Sequence, residues 1–384
     1  MLDYNMMQPS LHQFNLTVER QLPWNMALTV SYAGSLGRHL INSGMEGNPI
    51  VPGGIPSGTG AAETCVRRPT GQAANLTSMV DGSATACWLG NGSESRINPN
   101  WGDISYRSAA GNSVYHSLQV EVIKQLTKGL QFQSSYTYSK SIDEIENVFG
   151  SDNANTEDPG VTDPFHIRTD RGPSVFDVGQ NWHFNALYKF PNPQAAGFTG
   201  KMLSGWWMAG IETILTGYPF TACLSGNQSN SQLSNAPCTD RPDLVPGRSL
   251  YSITHGTSPG CTTPGGVTIA PGTPLGTPNL WFDPCAFTAQ PVGFLGNAGR
   301  NILRGPSEAN LDITVAKDTK LGILGEAGAL EFRADFFNIF NKANFQFGSL
   351  GAGNALAIDS LSVGRLVDTA TPARQIQFAL KLLF

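Results

Sequence analysis

Carboxylates supply the first candidate chemistry. The stretch SIDEIENVFGSDNANTEDPG (141–160) holds Asp143, Glu144, Glu146, Asp152, Glu157 and Asp158, and that many oxygen ligands could hold a calcium ion. The spacing is not that of an EF-hand loop, so a solvated acidic loop is the better reading. Downstream, HIRTDRGPS brings His166, Arg168, Asp170, Arg171 and Ser174 close in sequence, residue types from which a hydrolase could be assembled. The segment lacks the G-x-S-x-G turn that exposes a nucleophilic serine, and its charges read instead as ion pairs in a loop or a wet interior. The histidines at 12, 39, 116, 166, 183 and 255 fall in no H-E-x-x-H arrangement. No catalytic residue, metal site or cofactor is expected.

Six cysteines offer a second chemistry. Cys65 and Cys87, Cys223 and Cys238, and Cys261 and Cys285 are 22, 15 and 24 residues apart, far from the C-x-x-C of zinc and redox sites. Disulfides formed in an oxidising compartment fit better. Joining sequence neighbours is one choice among the many pairings six cysteines allow. All six fall between the strands proposed below.

Composition limits what could position these residues. Charged residues are 14% of the 384 and hydrophobic residues 40%, where about 25% charged is usual for a soluble domain. Such a chain buries, or hides in lipid, more than a soluble surface allows. With 24 basic and 29 acidic residues the formal net charge is −5, which leaves no electropositive surface for nucleic acid. The most apolar window, LSGWWMAGIETILTGYPF, is broken by Glu212 and glycines, so membrane helices are not expected. The opening MLDYNMMQPSLHQF has neither the basic nor the apolar region of a secretory signal. Abundant glycine (43) and proline (25) point to many turns and long loops.

The positioning elements are alternating runs. Phe14, Leu16 and Val18 alternate with Gln13, Asn15, Thr17 and Glu19, and after PWN a return run puts Met26, Leu28, Val30 and Tyr32 on one face. A second hairpin carries Leu118, Val120 and Val122, turns at TKG, and returns with Leu130, Phe132, Tyr136 and Tyr138. Further runs are Trp182–Phe190, Trp207, Ala209, Ile211 and Leu215, then Leu311, Ile313 and Val315, then Leu330, Phe332, Ala334 and Phe336. With a weak run at 362–367 and the C-terminal run, the total is about ten strands.

A soluble β-sandwich and a transmembrane barrel both show this period. Long runs suit a tilted crossing of the hydrocarbon layer. Aromatic residues near run ends (Tyr32, Tyr138, Phe190, Trp206, Trp207, Tyr218) suit interfacial girdles. Tight turns alternate with long polar connections, at about 34–112, 143–176 and 217–307, the one-sided layout of bacterial barrels. Charges agree: Glu331, Arg333 and Asp335 alternate with Leu330, Phe332 and Ala334, as a wet lumen on one face requires. Trp206 and Trp207 could serve a secreted carbohydrate-binding sandwich, but consecutive residues of a strand face opposite ways.

The chain closes on RQIQFALKLLF, with Ile376, Phe378, Leu380, Leu382 and Phe384 on one face. This resembles the C-terminal signal by which outer-membrane barrels are recognised by the barrel assembly machinery. In a closed barrel this strand pairs with the first.

The stretch RADFFNIFNKANF, with Arg333, Asp335, Phe337, Asn338, Phe340, Asn341, Asn344 and Phe345, resembles a segment near the end of TonB-dependent receptors, particularly the Oar-like group with a carboxypeptidase-regulatory-like domain. Similar likeness is carried by Tyr115–Asp143, Arg171–Pro191, GWWMAGIETILTGYPF and GNAGRNILRGP (296–306). The resemblance implies an outer-membrane barrel of about 22 strands in a Gram-negative-type bacterium, taking up a small-molecule, glycan or peptide ligand with energy from TonB. Residues 1–384 are then the C-terminal portion of that barrel, all-β, antiparallel and partial, with long extracellular loops. Outer-membrane lipid is a partner, and TonB is reached only through an N-terminal part that includes the plug. A stand-alone porin, adhesin or surface scaffold is the alternative.

Overall fold

Alternation becomes one antiparallel sheet. A computed structural model describes residues 3–50, 87–88, 96–144, 162, 167–193, 197–232, 240–322, 328–347 and 355–383. Nine long strands follow in chain order: β1 (Ser10–Leu22), β2 (Met26–Glu46), β3 (Ser105–Thr127), β4 (Leu130–Asp143), β5 (Gln180–Lys189), β6 (Trp206–Leu215), β7 (Glu308–Lys320), β8 (Ala329–Phe337) and β9 (Gln375–Leu383). Each pairs with its sequence neighbour, and the two-residue strand Gly172–Pro173 pairs with the far end of β4 to make a ten-stranded sheet.

Connections alternate in length. At one end lie Pro23–Asn25, Lys128–Gly129, residues 190–205 with α1 (Gly197–Leu203), and residues 321–328. Trp24 and Asn25, then Lys128 and Gly129, take positive φ, the twist that a tight hairpin needs. Gly129 is required twice over: its φ is +83°, and a Cβ there would stand 2.4 Å from the Lys189 carbonyl oxygen. At the other end lie residues 47–104, 144–179, 216–307 and 338–374. The first of these is shorter than expected, because β2 and β3 keep pairing to Glu46 and Ser105 through register shifts after Gly37, Leu40 and Asn42. Their apolar alternation stops earlier, but backbone pairing does not depend on it.

Register decides the faces. Leu16, Tyr32, Leu118 and Tyr138 lie opposite one another across four strands, as do Val18, Val30, Val120, Tyr136 and Trp182 across five. The polar row on the other face is hydrogen-bonded: Thr17 to Ser31, Gln133 to Glu121, His183 to Thr213, and Thr314 to Asp335. Leu16 is 68% exposed and Val18 61%, and so are Phe378 (68%) and Leu380 (68%). The other sheets among the described residues have only two strands each. A sandwich buries such a row against a second sheet; here it faces outward, to lipid.

Two strand assignments are corrected. In β6, Trp207, Ala209, Ile211 and Leu215 do not share the outward face. Trp206, Met208, Gly210, Glu212 and Ile214 do, because Trp182 pairs with Ile214 and Phe184 with Glu212. β6 is apolar on both faces, so its period left the choice to its neighbours. Glu212 is therefore a carboxylate on the lipid side, between Phe184 and Leu311. The run at 362–367 is turn and coil, with Val363 and Leu366 buried in the loops.

The sheet is open. β9 pairs with β8 and β1 with β2, and neither edge meets the other. Closure demands that strand number, tilt and stagger agree; the expected pairing of the final strand with the first is not made.

Candidate functional site

The loops at the long-connection end fold into a cap with its own core. Phe220 packs against Phe282 (5.5 Å between ring centroids) and Phe347 (4.6 Å), joining the 216–307 loop to the 338–374 loop. Backbone bonds repeat the join: Cys223 N donates to Leu356 O (3.1 Å) and Ile358 N to Cys223 O (2.9 Å). Two-residue strands pair Pro219–Phe220 with Leu303–Arg304 and Asp243–Leu244 with Phe287–Thr288. A smaller cluster, Ile50, Cys87, Trp88, Phe294 and Leu295, ties in the 47–104 loop, where Trp88 Nε1 donates to Ile50 O (2.9 Å).

Buried charges fasten this cap to the rim of the sheet. Arg300 ion-pairs with Asp143 at the end of β4, donates to the Asp143 carbonyl (2.7 Å), and donates through Nε to Asp170 O (2.6 Å). Arg241 pairs with the Asp170 carboxylate (2.6 Å). Asp177 receives Arg304, Lys140 (3.2 Å) and Ser141 N (2.5 Å). Asn301 donates to Pro173 O (2.9 Å). Gly172 is glycine of necessity, since a Cβ would lie 2.4 Å from the Arg300 carbonyl oxygen. Asp143 and Gly172 share the inward parity of the sheet, so the cap leans over the lumen side. Burial pushes the carboxyl of Asp240, in the cap, above its usual value, against the opposing bonds from Ser229.

Asparagines close the outer ends of β7, β8 and β9. Asn338 and Asn341 take positive φ, which asparagine tolerates. Asn338 Nδ2 donates to Lys342 O (2.9 Å) and Pro372 O (3.0 Å), Arg374 N donates to Asn341 Oδ1 (2.9 Å), and Asn344 brackets the Ala309 backbone.

The residues singled out from sequence separate accordingly. Asp143 and Glu144 point to opposite faces: one holds Arg300, the other accepts from Asn112 Nδ2 (2.8 Å). Glu146, Asp152, Glu157, Asp158 and His166 lie outside the described residues. Asp170 and Ser174 are rim contacts, the latter bonded to Ser141 (2.8 Å). Cys261 and Cys285 form a disulfide; Cys87 and Cys223 are each disulfide-bonded, and Cys65 and Cys238 lie outside the described residues. Ile376, Phe378, Leu380 and Leu382 line the outward face of β9, beside Phe336, Ala334, Phe332 and Leu330; Phe384 lies outside the described residues. Among the described residues no three His, Cys, Asp or Glu converge to hold a metal ion, and no helix is long and apolar enough to cross a membrane.

Sequence alone does not join Arg241, Arg300, Asn301, Arg304 and Asp177, although RGPSVFD and GNAGRNILRGP carry most of them. Their matching arginines and carboxylates were the available signal. The string GTSPG (Gly256–Gly260) has the spacing of a nucleophile elbow, yet Ser258 is buried in a loop and its hydroxyl donates to Asp283 (2.8 Å).

A family model described as outer membrane beta barrel domain matches residues 1–377. Among solved structures, the chain is similar to the outer membrane transporter YddB from Escherichia coli, with 8% identity and a TM-score of 0.42 over 99% of this chain. It spans 32% of that protein's chain. No curated protein is matched.

Proposed function

Because the chain belongs to the outer membrane beta barrel domain family and resides in the outer membrane, we propose that it is the barrel portion of a TonB-dependent, Oar-like receptor that takes up a ligand without catalysis. The observation that carries this reading is the cap, built from the 216–307 and 338–374 loops and fastened inward to the rim by Arg300 on Asp143. A packed cap over the lumen mouth suits ligand capture. Passage is then gated by a plug outside this chain and driven by TonB. The hydrogen-bonded polar row of Glu121, Gln133, Asn185, His183 and Thr213 lines the route inward.

Reading the DNA in frame ahead of the Met1 codon tests this. A continuous frame encoding further strands, a plug and a TonB-contacting segment is expected. A stop codon immediately ahead of Met1 would sink the energised-uptake reading and leave a small barrel acting as porin, adhesin or scaffold.

A further inference from the structure

We infer a second binding site on the outside of the rim: a cationic cleft that takes the phosphate of an acylated lipid in the outer leaflet. It rests on the outer-membrane location alone and stands or falls separately from ligand uptake.

Strand parity places the cleft outside. Ile142 pairs with Pro173 on the outward row, while Asp143 and Gly172 turn inward to Arg300. One residue further, Glu144 and Arg171 return to the outward side. Arg38 sits on the same outward row of β2 as Tyr32, opposite Ser10. Arg38, Arg168, Arg171, Asn112 and Glu144 line one cleft of about 510 Å³.

Among the described residues its charge is unspent. The arginines that fasten the cap each hold a carboxylate. Arg168 and Arg171 are exposed, and no described carboxylate pairs with either guanidinium. Among the described residues Arg38 makes only long bonds, to Gly37 O (3.3 Å) and Asn112 Oδ1 (3.4 Å). Glu144 is engaged by Asn112 (2.8 Å), so the described lining sets three guanidinium groups against one carboxylate. Planar guanidinium forks match phosphate oxygens in charge and geometry.

The surface beneath decides for a lipid over a free anion. Further down the same outward rows stand Tyr32, Leu118 and Tyr138, all exposed. A cationic cleft that shares its outward rows with an exposed apolar strip, with only His116 and Lys140 between them, complements an anionic head joined to acyl chains. A soluble anion would use the cleft and leave the strip idle.

The test is binding to the full chain in nonionic detergent, with short-chain phosphatidic acid as probe, the matching diacylglycerol as its phosphate-free partner, and inorganic phosphate alone. Phosphatidic acid is expected to bind at least ~10-fold more tightly than either control, and the triple variant Arg38→Gln, Arg168→Gln, Arg171→Gln to lose that advantage. Lys124→Gln, at the opposite end of the sheet, should change nothing. Equal binding of diacylglycerol, or equally tight binding of inorganic phosphate, would overturn the inference; so would a folded triple variant that binds as the native chain does. Should the variant misfold, the native chain decides: raising salt from ~0.05 to ~0.5 M must weaken phosphatidic acid binding while sparing diacylglycerol, and failure of that contrast overturns the inference equally.

Discussion

Phe378 in β9 stands 68% exposed, whereas Phe282 in the cap is wholly buried among Phe220, Phe287 and Phe347. Charges run the other way. The cap encloses Arg300 with Asp143 and Arg241 with Asp170, with no more than 4% of any of these side chains exposed, while the sheet keeps Glu331, Arg333 and Asp335 on its inward face. One chain thus serves two solvents. Where lipid is the medium, apolar atoms gain little by touching one another, because acyl chains are as apolar as leucine. Where water is the medium, the hydrophobic effect gathers a core and buried polar groups must find partners.

That contrast breaks most sharply at the rim. Arg300→Ala strands Asp143 in a buried position and should cost the cap about 3–5 kcal/mol, read as lost hydrogen-exchange protection in residues 216–307 with the sheet amides still protected. Unchanged protection would show that the ion pair does not hold the cap. Matched aromatic deletions come next. Phe282→Ala should destabilise by about 3–4 kcal/mol, and Phe378→Ala by less than about 1 kcal/mol because lipid fills the space; similar losses in urea titrations of the bilayer-inserted protein would abolish the distinction between the two regions. A charge swap sharpens it further. Val120→Arg, on the outward row, should cost about 2–4 kcal/mol in a bilayer, while Gln119→Arg, facing inward, should be nearly neutral. If the inward variant is the more damaging, the faces have been assigned backwards.

The smallest effect is a pH dependence of the cap. Asp240 has its carboxyl pKa raised above 3.8, chiefly by burial, so the folded cap holds a proton that the unfolded chain has already released. The stability it contributes is full below pH 3.8 and is lost as pH rises through the folded value. Asp240→Asn should flatten that part of the cap's pH profile, and a profile identical to the native one would remove Asp240 from the account.

Legibility in the sequence follows the same division. A strand facing lipid on one side and water on the other writes its geometry into every second residue, so Phe14 to Val18, Leu118 to Val122 and Ile376 to Leu382 could be placed without coordinates. β6 could not be oriented, because Trp206 and Trp207 are both apolar and only the pairing of Phe184 with Glu212 settles the face. The cap left no period to read. Its core joins Phe220, Phe282, Phe347, Val363 and Leu366 across long, irregular stretches whose strands are two residues long. The asparagines of FNIFNKANF were visible as a motif, but their work, turning the backbone at positive φ and holding Arg374 and Ala309, depends on strands that meet only in the folded sheet.

The length of the β2 and β3 hairpin has one more effect. β3 runs for 23 residues, a contour of about 75 Å at the usual strand rise, and even tilted it climbs far beyond an apolar band about 25 Å tall. Its outer end, beyond Asn112, stands clear of the bilayer like a mast. Whatever drifts toward the cell from outside, whether nutrient, phage or antibody, meets this hairpin before it meets the membrane.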